Sequence, residues 1–89
     1  MSRYLMSSPT IREAGLYRYE RLASGEAANW YSEGPVVSAI ANADTADELA
    51  AIVGAPIVPR RLDVVMDIGD VALVFIDGTY QIGLLCRIG

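Results

Sequence analysis

The residues best placed to do chemistry in this chain lie between Ser38 and Arg61. Ser38, Asn42 and Thr45 fall where an apolar run gives way to a helical pattern (SAIANADTADELAAIVG). A helix start presents unpaired backbone N–H groups and the positive end of a dipole, so it attracts an anion such as phosphate. Asn42 and Thr45 add side-chain donors to that turn. Arg60 and Arg61 follow the helix, and a guanidinium is the planar fork that fits a phosphate. In an alternating strand Arg61 faces the opposite way to Leu62. A third cluster, Ser7, Ser8 and Thr10 around Pro9, puts hydroxyls at the end of the first apolar run. The chemistry indicated is the binding of a small phosphate-bearing ligand. Each group also has an ordinary use: Asn42 and Thr45 as helix caps, the arginines as solvated cations near Asp63 and Asp67, the hydroxyls as turn formers. The residues alone leave both readings open.

Other chemistries lack their residues. The chain has no histidine, hence neither the commonest general base nor the commonest metal ligand. With Cys86 as the single cysteine, neither a zinc site nor an internal disulfide is expected. We expect no catalytic residue, no metal and no cofactor. Seven basic residues stand against eleven acidic, a net charge of −4, which disfavours duplex nucleic acid. It leaves a small anion possible, because a local pocket can oppose the global field. Asp44, Asp47 and Glu48 read as partners of a helix dipole. Tyr17, Tyr19 and Tyr80 suit stacking on a base or, more ordinarily, packing on a sheet.

The elements that must position these groups make one domain, residues 1–89, of the α/β class. We expect a mixed sheet of about five or six strands with two packed helices. Hydrophobic residues make up 53% of the 89, enough for a core but a small one, so self-association into a homodimer or higher oligomer is a natural supplement. The apolar runs are too short to cross a bilayer and the first residues lack a signal peptide's apolar segment. We therefore expect a cytoplasmic protein with no membrane partner. Strands are expected over 3–6, 16–22, 35–40 (buried on both faces), 61–66, 71–76 and 79–88. Helices are expected over 25–31, with Ser24 as N-cap and Gly34 as left-handed stop, and over 43–53, with Asn42 as N-cap and Gly54 as stop. Asp67 to Asp70 reads as a turn, and Asp77-Gly78 as a two-residue hairpin.

Several separated motifs then fit one pattern. Ser38-Ala39-Ile40-Ala41-Asn42, Thr45-Ala46, Leu49, Val53-Gly54, Arg60-Arg61 and Gly69-Asp70-Val71-Ala72-Leu73 occur in order, preceded by Leu16-Tyr17-Arg18-Tyr19 and the Glu26-to-Trp30 segment. The series resembles the viral ring nucleases, small archaeal-virus domains that include type III anti-CRISPR enzymes binding and cutting cyclic tetra-adenylate. The likeness runs to about Phe75. It implies a ligand site shared between copies, with Ser38, Asn42 and Thr45 at the helix start, Arg61 on a phosphate, and Ser7, Ser8 and Thr10 closing one side.

The departures are as informative. The family's catalytic histidine falls on Asn42, an amide with no acid–base function near neutral pH. The glycine before it is Ala41, the family's later arginine and glutamate have no counterpart, and its first-loop Asn and Ser correspond at best to Ser7 and Thr10. Losing a general acid or base costs a factor of about 100 to 10,000 in rate. The expectation is a counter-defence protein that sequesters a small cyclic nucleotide without cutting it. The alternatives are a weak metal-independent ring nuclease working by positioning alone, and a ligand-free interaction module.

Overall fold

The computed structural model describes residues 1–7, 13–79 and 81–89, with Asp77 described in its backbone only. The elements run β1 (Arg3–Met6), β2 (Tyr17–Leu22), α1 (Ser24–Ser32), β3 (Val37–Ser38), α2 (Ala43–Val53), β4 (Val71–Ile76) and β5 (Gln81–Arg87). The five strands form one mixed sheet in the order β2-β5-β4-β1-β3. β1 is parallel to both β3 and β4, whereas β5 is antiparallel to β4 and β2. Short β1 thus sits between two parallel neighbours, which is why Leu5 and Met6 are both buried.

Side chains alternate across the sheet, and each face has its own cover. Leu5, Leu73, Phe75 and Ile82 meet Ala27 of α1 and Ala46, Leu49 and Val53 of α2. Spacings of three and four residues put those α2 positions on one stripe. Full burial of side chains such as Leu49 and Phe75 contributes about 1.5–3 kcal/mol each. Trp30 and Tyr31, at the end of α1, pack half-buried on the same cluster. Helix α2 begins at the expected Asn42 cap and ends at Gly54, whose φ of 75° only glycine adopts freely.

The second face is covered by irregular chain instead of a helix. Residues 61–66, expected as a strand, make no ladder. Met66 and Val64 pack on Met6, Ala72, Val74 and Leu85 from below, while Leu62 and Val65 stay exposed. The alternation in the sequence is real, but it serves to press Val64 and Met66 onto a sheet face that would otherwise be wet. Met66 is 3% exposed, so Met66→Ala should lower the unfolding free energy by about 2–4 kcal/mol. Val65→Ala should change it by less than about 0.5 kcal/mol. Paired urea titrations would check the contrast.

Other boundaries shift for local reasons. β3 covers Val37–Ser38 alone and is not buried on both faces: it ends the sheet, and Val37 is 38% exposed. Beyond it, the Arg60 N–H donates to the Ile40 carbonyl at 2.8 Å, laying the chain after α2 along that edge. Helix α1 includes Ser24, with Ala23 at the cap position, where the Glu26 carboxylate accepts the Ala23 N–H at 3.0 Å. It ends at Glu33 in right-handed geometry, without a left-handed Gly34. The β4–β5 turn is a 3₁₀ turn over Asp77–Thr79, not a two-residue hairpin, and Ile76 faces Gln81 across it.

Candidate functional site

The carboxyl ends of β1 and β3 meet the chain that returns from α2. Leu5 and Ser38 are register partners, and the Ala39 N–H donates to the Leu5 carbonyl at 2.9 Å. Where this edge meets residues 56–60 lies a cavity of 380 Å³, walled by Leu5, Tyr31, Val37 and Ile57, with Ser38 and Arg60 as its polar residues. That volume falls in the range of small-molecule sites. Ser38 Oγ is buried and has no hydrogen-bond partner among the described residues. Such a hydroxyl costs about 1–3 kcal/mol when unpaired, and it stands at the wall of a cavity that Arg60 also lines. Parallel strands in open α/β sheets place ligands at this end.

The other residues singled out in the sequence lie around this cavity rather than in it. Asn42 Oδ1 accepts the N–H groups of Asp44 at 2.9 Å and Thr45 at 3.2 Å. It is a working helix cap, and Asn42→Ala should cost about 1 kcal/mol whereas Asn42→Asp, which also caps, should cost little. Circular dichroism melts of the two variants would separate them. Thr45 is 3% exposed and faces the helix–sheet packing. Arg61 is exposed and outside the cavity wall; its neighbour Arg60 lines it. Ser7, half-buried, follows β1 at the same end of the sheet as Ser38. Ser8 and Thr10 lie outside the described residues.

Sequence reasoning preferred Arg61 because it assigned a strand here; without that strand, alternation says nothing about which arginine turns inward. It also passed over Arg3. That guanidinium stacks on the Trp30 ring at 4.0 Å from its centroid and donates to the Trp30 carbonyl, pinning α1 to β1. Its Nη1 is buried without a hydrogen-bond partner among the described residues, beside a larger cavity, 560 Å³, near the amino end of β1. Glu33 shares that cavity wall, which weighs against an anion there. Among the described residues, the wall of the Ser38 cavity holds no acidic side chain.

Among the described residues no group of three or more His, Cys, Asp or Glu could hold a metal ion, and no helix is long and apolar enough to cross a membrane. Sheet, helix pair and cavity together define a small α/β domain with a ligand-sized recess at the carboxyl end of its parallel strands. The sequence matches the profile of the STIV B116-like family over residues 3–76, and the chain belongs to that family. Among solved structures it superposes on B116 of Sulfolobus turreted icosahedral virus with a TM-score of 0.78, covering 100% of both chains at 14% identity. At that identity the likeness speaks for the fold. No curated protein matches the sequence.

Proposed function

We propose that this chain is a viral counter-defence protein that binds a small cyclic nucleotide signal in the host cytoplasm and holds it intact. The observation that carries this reading is the buried Ser38 hydroxyl, without a partner among the described residues, in a cavity that Arg60 also lines. Ser38 donates to a phosphate oxygen, Arg60 neutralises it, and Arg61 and Ser7 extend the polar rim. The likeness to viral ring nucleases supplies the ligand class and the sharing of the ligand between copies. Retention rather than cleavage is the reading that the chain's own chemistry supports. It has no histidine, and the amide at the family's catalytic position, Asn42, is engaged by two helix N–H groups.

The test is retention. Purified protein is incubated with cyclic di-, tri- and tetranucleotides, filtered and heat-denatured, and the released material is chromatographed. Intact cyclic ligand in the protein fraction is expected. Linear product would instead favour slow cleavage by positioning of the ribose 2′-OH.

A further inference from the structure

The Ser38 hydroxyl is buried, so no atom arriving from solvent touches Oγ until part of its surroundings moves. Part of those surroundings is fixed. Leu5 and Val37 belong to paired strands, and beside Ser38 the Ala39 N–H donates to the Leu5 carbonyl at 2.9 Å. Tyr31 packs on the core from the end of α1. A second part of the described wall, Pro56, Ile57, Val58 and Arg60, is built differently. It belongs to the chain that runs from α2 to β4 without joining the sheet.

That chain is held at both ends by burial and in the middle by a backbone bond. Ile57 is 7% exposed in the helix–sheet core. Met66 lies buried against the other face, and its carbonyl accepts from Arg87 Nη1 at 2.6 Å. Residues 58–63 between these anchors are exposed, so lifting them takes little apolar surface into water. The Arg60 N–H bond to the Ile40 carbonyl, 2.8 Å, ties their middle to the sheet edge. Segments with few buried apolar contacts open locally, at free energies well below that of global unfolding. Pro59 stands next to the bonded amide; its ring fixes φ and so limits the conformations open to a lifted chain.

We infer that residues 58–63 are a gate on the Ser38 cavity. The gate lifts when the Arg60–Ile40 backbone bond breaks, with Ile57 and Met66 staying in place. Lifting uncovers Ser38 Oγ, and reclosure brings the Arg60 side chain back to the cavity wall. Arg60 is then the latch through its main chain and the ligand's partner through its guanidinium, so capture and closure are one movement. The part played in capture rests on reading this cavity as the binding site, whereas the lifting needs no ligand and is measured without one.

Thiol labelling of the free protein tests it. Ser38→Cys puts a thiol where the hydroxyl stands with little change in shape. Its modification by N-ethylmaleimide is followed by peptide mass spectrometry, which separates it from Cys86, itself half-buried. The reaction should be slower than in the urea-denatured chain, yet about tenfold or more faster than global unfolding of the same variant allows. Adding Pro59→Ala enlarges the set of lifted conformations and should quicken it about two- to fivefold. The Arg60 amide, followed by hydrogen exchange with Ser38 in place, should quicken by the same factor. A thiol that reacts as fast as in the denatured chain would overturn the inference, because the position would already be open. So would one limited by global unfolding, or one whose rate Pro59→Ala leaves unchanged. Failure to retain a nucleotide, by contrast, bears on the reading of the cavity and not on the gate.

Discussion

Asp70→Ala is expected to lower the unfolding free energy by about 3 kcal/mol, a large share of what a small domain has. Asp70 is 3% exposed. One carboxylate oxygen accepts the Ser2 N–H at 2.7 Å and the other the Asp67 N–H at 2.9 Å. It thereby ties the chain start to the turn that launches β4, next to the Val71 N–H bond to the Ser2 carbonyl at 3.0 Å. Alanine would remove a buried carboxylate that holds two part-buried backbone N–H groups, and hydrogen bonds to a charged group are worth about 1.5–3 kcal/mol each. For a chain this size the loss corresponds to a melting temperature lower by about 12 °C or more. Asp67→Ala is the control: Asp67 is exposed and contributes its backbone to the knot, so less than about 0.5 kcal/mol is expected. Equal melting of the two variants would contradict this role. The Gly69-Asp70 pair, one of the motifs shared with the viral domains, thus has a structural explanation in this chain.

Ser38→Ala and Arg60→Ala should each weaken nucleotide retention, Arg60→Ala by about 10- to 100-fold, as expected for loss of hydrogen bonds to a charged group. Ser38→Ala carries the sharper signature. Without ligand, removing a buried hydroxyl that has no partner among the described residues should leave the protein as stable as before or up to about 1 kcal/mol more stable. With ligand, the stabilisation that binding adds to the native state should shrink. Opposite signs in the two conditions mark a residue kept for binding at a cost to folding. A purely structural serine would destabilise the free protein when removed. Thermal shifts with and without a cyclic nucleotide read both numbers from one experiment.

How far the sequence carried these conclusions differs by element. Helix α2 was legible from end to end because its signals are local: Asn42 at the cap and Gly54 at positive φ. β1, β2 and β4 were legible from apolar or alternating runs. Residues 61–66 were misread because alternation reports which side chains are buried and says nothing about what the backbone bonds to; Met66 is buried against the sheet without joining it. The same misreading singled out Arg61, whereas the cavity is lined by Arg60. Ser38 was singled out for standing before the helix, but its burial without a partner among the described residues depends on the packing of β3 against the chain after α2. Arg87 was not legible at all: its guanidinium donates to the carbonyls of Met66 at 2.6 Å and Ala14 at 3.3 Å, joining segments distant in sequence.

The most direct test of the central claim is the retention experiment run on wild type beside Arg60→Ala. The account predicts that a cyclic nucleotide emerges intact from denatured wild-type protein and is absent, or nearly so, from the variant. Recovery of linear product, equal retention by both proteins, or no retention of any cyclic nucleotide by the wild type would contradict it.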